Sequence, residues 1–405
     1  MQSLPRKRYL ETLRVLKDKN LIKVATGVRR CGKSTLMTQF QELLRKENSK
    51  TPILAINMDM PEFRFLVEKS WKDVYGYIIK HLKKNTTNYV FIDEVQNVPE
   101  FEKLLEGLFV QPNIDLYITG SNAFLLSSEL ATLLTGRAYE INVLPFSFAE
   151  FLEFTGKSAN PDRAFAEYMH IGGFPEAVRL SADGNHFANE YLQMVFKNIF
   201  NNDISKRHAI YGEESYQEVV NFLIDSVGSS VSAGNISKVL TANKKKIDNK
   251  TVSKYIDTLV EAYLFYKVNR YDIKGKQHLA TQQKYYLVDL GFRNALLGKE
   301  LASDAGHLLE NVIYLELKRR NYQVWIGKSN NLEVDFMARN NEGFTQYIQV
   351  SQTAQNAATL ARELAPFDRI ADHHEKILVT MDYDTGTING VKKINAIDWL
   401  TNSDK

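Results

Sequence analysis

The chain has 405 residues, 44% hydrophobic and 24% charged, the balance of a globular protein. Its net charge is only +3, which excludes bulk electrostatic binding to nucleic acid and leaves only local basic surfaces. A single cysteine, Cys31, excludes a disulfide framework and a cysteine-based zinc site. The opening MQSLPRKRYLETLRVLKDKN lacks the apolar run of a secretory signal. No stretch approaches the ~20 apolar residues of a membrane helix, so the expectation is a cytoplasmic protein with no membrane partner.

In chain order, LIKVATG (21–27) reads as a buried strand entering a Gly-rich turn. Residues 33–47 follow with Leu36, Phe40, Leu43 and Leu44 at helical spacing. TPILAINMD (51–59), NYVFIDE (88–94) and IDLYITGS (114–121) read as three further strands. Strands alternating with helical patterns predict a mostly parallel sheet with crossover helices. After Pro145 the pattern turns helical and is punctuated by Gly172-Gly173, with the helical character continuing to about residue 207. Between 215 and 298, three helical segments precede a hairpin turning at Gly275, which is the order of a winged helix-turn-helix. From about 301 an amphipathic helix and the strands YQVWIGK, LEVDFMARN, TQYIQVS and EKILVTMD restore an α/β pattern.

GVRRCGKST (27–35) fits G-x-x-x-x-G-K-[ST] and lies between a predicted strand and a predicted helix, the context this motif requires. Its glycines let the backbone curl so that N–H groups face phosphates, and the following helix presents its positive end. Gly27, Val28, Arg29, Arg30, Cys31, Gly32, Lys33, Ser34 and Thr35 therefore form a candidate binding loop for ATP. Lys33 is expected on the β- and γ-phosphates and Ser34 on Mg²⁺. The side chains of Arg29 and Arg30 are expected to point away from the nucleotide. Cys31 reads as a small loop residue that becomes oxidation-sensitive only if nearby positive charge stabilises its thiolate.

Asp93, at the end of the third strand, is placed to join Ser34 in holding Mg²⁺. Glu94 beside it is placed to polarise an attacking water. The Asp-Glu pair favours hydrolysis over transfer to a bound acceptor, which weighs against a small-molecule kinase. The next strand ends in Thr119, Ser121 and Asn122, polar candidates for the γ-phosphate or the water. Arg137 in LTGRA is a candidate arginine finger, in cis or in trans, its alternative being a surface salt bridge.

The succession TGVRRCGKSTL, FIDEVQNVPEFEKLLEGL, and YITGSN through LTGRAYEINVLPFSFAEF resembles a family of prokaryotic AAA-type ATPases. Members of that family carry a C-terminal domain of unknown function with a restriction-endonuclease-like fold. GGFPEAV, NDI at 202–204, and HLLENVIYLEL with LEVDF and YIQVS extend the resemblance over nearly the whole chain. It implies an AAA-type core with a helical lid; together with the winged-helix order, the expectation is an α/β protein with four parts: a P-loop AAA-type parallel sheet core at 1–150, a helical lid at 151–211, a winged helix domain at 212–300 and a restriction-endonuclease-like α/β domain at 301–405. On matching positions it makes Asn122 the sensor residue and Arg137 the finger.

Two features bear on what ATP hydrolysis would drive. Lys250, Lys254 and Tyr255 near the start of the third helix of the winged segment, Lys244, Lys245 and Lys246 before it, and Arg270, Lys274, Lys276 and His278 on the wing form a locally basic layout. That layout suits double-stranded DNA, or else the module docks within the chain. In the last segment Glu310, Asp335 and Gln349 fall where a restriction-endonuclease-like fold keeps its metal-binding acids, but Ser351 stands where the lysine belongs. Lys318 is a candidate substitute from the helix. The expected domain is inactive or a recognition module. The leading expectation is an ATPase driving a DNA-associated switch or motor. The alternative is an ATPase regulator of signal-transduction or defence type, acting through protein partners, and an ATP-dependent nuclease ranks lower; a homo-oligomer is a further expected partner.

Overall fold

The computed structural model describes residues 3–67, 70–121, 136–242, 247–298, 305–329 and 331–402. They form two compact units, Met1–Val143 with Glu261–Tyr263, and Leu144–Val260 with Leu264–Lys405. Among the described residues no helix is long and apolar enough to cross a membrane.

The first unit is built on β1 (Ile22–Thr26), β2 (Ile53–Asn57), β3 (Asn88–Asp93), β4 (Ile114–Thr119) and β5 (Ala138–Asn142). They pair in the order β2-β3-β4-β1-β5, every neighbour parallel. Alternation sorts their side chains. Ile22, Val24, Val90, Ile92, Leu116 and Ile118 share a core with Leu104, Leu105 and Leu108 of the helix Phe101–Phe109. On the other face Phe91 stacks on Tyr117 at 4.6 Å, and Phe40 of the helix Lys33–Glu47 packs on both. Covered on both sides, the strands read as continuous apolar runs. One exception is Lys23, fully buried in β1. Its ammonium pairs with Asp115 and donates to the Lys19 carbonyl at 2.8 Å, and Tyr117 donates to the same carboxylate. The strand order sets the C-terminal ends of β1, β4 and β3 side by side, with β4 between the strands bearing the two nucleotide motifs.

The second unit opens with helices that carry explicit start signals. Ser147 and Glu150 form a capping box before Phe148–Thr155, and Asn160 caps Pro161–Ile171 with proline in its first turn. The Gly-Gly punctuation has a steric cause at Gly173, where a Cβ would come within 2.3 Å of the Phe146 carbonyl oxygen. The Gly173 N–H donates to the buried Asp289 at 2.6 Å. Helices Pro175–Ser181 and Asn185–Ile199 complete this region.

The helix Glu213–Asp225, β6 (Ser230–Val231), helices Ala233–Ala242 and Asn249–Glu261, β7 (Phe265–Asp272) and β8 (Gln277–Leu287) come next. The helix Ala305–Arg319 then precedes β9 (Gln323–Ser329), β10 (Leu332–Arg339), β11 (Thr345–Ser351), β12 (Glu375–Thr380), β13 (Gly386–Ile388) and β14 (Val391–Asn395). One nine-stranded sheet contains all of β6 to β14, in the order β13-β14-β12-β11-β10-β9-β7-β8-β6. The expected boundary near residue 300 is thus crossed by a continuous sheet. The joint is parallel pairing of Arg270–Asp272 with Ile326–Lys328, extended by Ile273 N–H donating to the Lys328 carbonyl at 2.9 Å. An open strand edge satisfies its backbone groups by such pairing, and a partner ~55 residues away leaves no local signal in the sequence.

Candidate functional site

β1 ends in the loop 27–32, where Gly27, Arg30 and Gly32 have φ of 137°, 71° and 107°. A Cβ on Gly27 would lie 2.2 Å from the Val143 carbonyl oxygen, so only glycine fits this turn. Gly32 is the N-cap of Lys33–Glu47 and brings no side chain to its first-turn N–H groups, which leaves them for an anion. Lys33 is buried, and its Nζ donates to the carbonyls of Gly27 at 2.9 Å and Val28 at 3.0 Å, so its charge sits within the curl of the loop. Val28 and Cys31 are buried beneath the loop, while Arg30, Ser34 and Thr35 are exposed. Arg29 reaches to within 4.0 Å of Asp59. Burial pushes the Cys31 thiol up, and the charges of Lys33 and Arg6 only partly oppose this. The condition for an oxidation-sensitive thiolate is therefore not met.

Asp93 gathers three side-chain donors: Ser34, Asn57 at 2.9 Å and Thr119. Burial raises its pKa, and the Thr119 and Ser34 hydrogen bonds oppose the rise. Thr119 serves both acids, donating to the Asp93 carboxylate and accepting the Glu94 N–H at 3.0 Å. Glu94 is buried in a left-handed conformation, φ 53°. Its Oε2 accepts from Gln96 and, at 3.3 Å, from Ser121. The structure thus brings Lys33, Ser34, Asp93, Glu94, Thr119 and Ser121 together. Asn122 lies outside the described residues.

Arg137 does not join them. Its carbonyl accepts from Ile22 N–H at 2.7 Å, so it stands beside the N-terminal end of β1, while the phosphate loop follows the C-terminal end. Five residues at ~3.3 Å each separate the two by about 16 Å, and its guanidinium lies over the Phe109 ring. Sequence reasoning missed the support of the loop from behind. Thr26 donates to Glu140 at 2.6 Å, and Tyr263 donates to the same carboxylate at 3.3 Å.

The second acid cluster is also assembled, with a member the sequence did not suggest. Lys284 of β8 places its Nζ 2.9 Å from Glu310 Oε1, 2.9 Å from Glu333 Oε1 and 3.8 Å from Asp335 Oδ1. Alternation along β8 puts Tyr286 on the same face, and its hydroxyl donates to Glu310 Oε1 at 2.5 Å. Arg270 lies 3.5 Å from the other Glu333 oxygen, and His307 3.6 Å from Glu310 Oε2. Asp335 accepts the Val350 N–H at 2.8 Å, and Gln349 donates to Glu363 at 3.0 Å. Burial drives the Asp335 carboxyl well up. Burial acts the same way on Glu310, but the Lys284 ammonium, His307 and Tyr286 hold its carboxyl below the ordinary range. Lys318 is elsewhere, 4.7 Å over the Tyr266 ring, and Ser351 donates to the Thr353 carbonyl.

Of the basic layout expected on the winged segment, Lys250, Lys254, Lys274, Lys276 and His278 are exposed. Arg270 is committed to Glu333, Tyr255 is buried, and Lys244, Lys245 and Lys246 lie outside the described residues.

Residues 19–152 match the model of an AAA domain family (AAA_14), and 162–303 that of a domain of unknown function (DUF8612). An uncharacterised protein of Haemophilus influenzae is 38% identical over 404 residues, 98% of each chain. An uncharacterised protein of Methanocaldococcus jannaschii, MJ1544, is 28% identical over 379 residues, 89% of this chain and 82% of that one. Among solved structures, the Walker-type ATPase PABY2304 of Pyrococcus abyssi shares the fold at a TM-score of 0.50 and 15% identity, covering 73% of this chain and 96% of that one. With a match of 38% along both chains, this protein belongs to the same family as the Haemophilus influenzae protein, one built on a P-loop AAA domain.

Proposed function

We propose that the chain is a Mg²⁺-dependent ATPase that couples hydrolysis to a DNA-associated switch. The observation that carries the catalytic part is the single hydrogen-bonded set running from Ser34 through Asp93 and Thr119 to Glu94, beside a loop whose lysine is already inside its curl. These residues fit a nucleoside triphosphate. The loop N–H groups and Lys33 would hold the β- and γ-phosphates, and Ser34 and Asp93 would hold Mg²⁺, which neutralises phosphate charge when bound. Glu94 takes the proton of the attacking water, and the donors Gln96 and Ser121 fix where its carboxylate lies. Arg137, placed away from its own loop, serves a neighbouring copy, which makes the working form a homo-oligomer.

The DNA part is supported by the element order from Glu213 to Leu287, helix-strand-helix-helix-strand-strand, which is that of a winged helix. Lys250 and Lys254 are exposed on the helix that such a module lays in the major groove, and Lys274 and Lys276 at the hairpin tip. One observation favours a second reading, a regulator working through a protein partner: β7 is paired into the C-terminal sheet and Arg270 is bound to Glu333, so part of the wing is already engaged. ATP turnover with and without duplex DNA, at low and high salt, separates the two. Stimulation that salt abolishes supports the DNA reading, and turnover indifferent to DNA supports the partner reading.

A further inference from the structure

The cluster around Lys284 lies outside the nucleotide site, and the inference drawn from it does not depend on the ATPase reading. Its three carboxylates come from the helix Ala305–Arg319 and from β10, and its lysine from β8, a strand of the preceding module. The ammonium reaches Glu310 and Glu333 at 2.9 Å each and Asp335 at 3.8 Å. A divalent ion that cleaves a phosphodiester needs carboxylates with free lone pairs and open positions for water and substrate. Here Glu310 and Asp335 are 4% and 9% exposed, and Lys284 is 3% exposed. Glu310 Oε1 already accepts from both Lys284 and Tyr286. Asp335 Oδ2 accepts the Val350 N–H, and the Gln349 amide is taken by Glu363. Among the described residues no group of three or more His, Cys, Asp or Glu is arranged to hold a metal ion.

We propose that Lys284 is a resident cation, standing among Glu310, Glu333 and Asp335 where a divalent ion would otherwise sit, and that it turns a metal-type acid cluster into an ionic latch. The latch fastens β8 to the helix and to β10, beside the β7–β9 pairing that Arg270 and Glu333 also brace. The charges support it. Lys284 and Arg270 stand against the carboxylates of Glu310 and Glu333, and Asp335 Oδ2 is already bonded to the Val350 N–H, so little is left to draw in a second cation. The consequence is a C-terminal domain that binds no catalytic metal and moves together with the module before it.

The test is a Mn²⁺ titration of the full-length, nucleotide-free protein, read by the electron paramagnetic resonance of free Mn²⁺. Wild type and Asp335→Asn are expected to give superimposable curves. Lys284→Ala is expected to gain one site at least tenfold tighter than any in wild type, and the double variant Lys284→Ala/Asp335→Asn to lose it. A wild-type Mn²⁺ site that Asp335→Asn removes would overturn the proposal. So would a folded Lys284→Ala that gains no site, because the ammonium would then not stand in a metal position. If Lys284→Ala does not fold, the wild-type and Asp335→Asn curves decide by themselves.

Discussion

Thr119→Val isolates the hydrogen bonding of the Asp93–Glu94 pair from its packing, since valine fills nearly the same volume at a site only 1% exposed. It removes the hydroxyl that donates to Asp93 and strands the Glu94 N–H, now 3.0 Å from its acceptor, in a buried place. A hydrogen bond to a charged group is worth about 1.5–3 kcal/mol, and an unpaired buried N–H costs about 1–3 kcal/mol. If roughly half of that sum appears as misplacement of the two acids in the transition state, the barrier rises by about 1.3–3 kcal/mol, roughly a 10- to 150-fold fall in kcat. The loop that holds the phosphates is untouched, so KM and the Kd for ADP are expected to stay within about threefold of wild type. Steady-state ATPase assays with ADP binding by calorimetry measure both, and Thr119→Ser, which restores the hydroxyl, is expected to recover most of the rate. A Thr119→Val protein that folds normally and keeps kcat within threefold of wild type would refute this account of how the acids are held.

Three further outcomes follow from the same geometry. Because burial pushes the Cys31 thiol up, alkylation of the native protein by iodoacetamide at pH 8 is expected to run at least tenfold slower than in the urea-unfolded chain; equal rates would place the thiol at the surface. Asn311, fully buried, accepts the Leu287 N–H at 2.7 Å and donates to the Leu287 carbonyl at 3.0 Å. Asn311→Ala is expected to lower the stability of the second unit by about 2–5 kcal/mol in urea unfolding while leaving ADP affinity unchanged. Arg137→Ala is expected to depress turnover at least tenfold, and mixing it with the hydrolysis-dead Glu94→Gln is expected to restore part of the activity, since each supplies what the other lacks across an interface. Two inactive proteins that stay inactive when mixed would count against the trans assignment.

The parts of the site that were legible in the sequence are those whose chemistry is written in consecutive residues. A loop that curls around phosphate needs Gly27 and Gly32 at fixed spacing, and the continuous apolar run Tyr89-Val90-Phe91-Ile92 announces the strand that ends at Asp93. The strand–loop–helix context and the parallel sheet were readable for the same reason. What stayed hidden depends on partners distant in the chain. Lys284 meets Glu310 across 26 residues, and Lys23 meets Asp115 across 92. A buried lysine in a strand looks like an ordinary polar interruption until its carboxylate is seen. Thr119 was singled out as a polar strand end, but its double service to Asp93 and Glu94 rests on β3 and β4 being neighbours. The β7–β9 joint was invisible because the open edge of either strand could as well face solvent, and no residue nearby in the chain names its partner. Arg137 was legible as a residue type but not as a position, since only the register of β5 on β1 places it away from the loop.

The most direct test of the central claim is ATP turnover by the wild-type protein and by Glu94→Gln, each with ATP affinity measured alongside. The account predicts that the wild type hydrolyses ATP in a Mg²⁺-dependent manner, and that Glu94→Gln binds ATP with unchanged affinity but turns it over at least a hundredfold more slowly. Undiminished hydrolysis by Glu94→Gln would contradict it, as would a wild-type protein that binds no ATP.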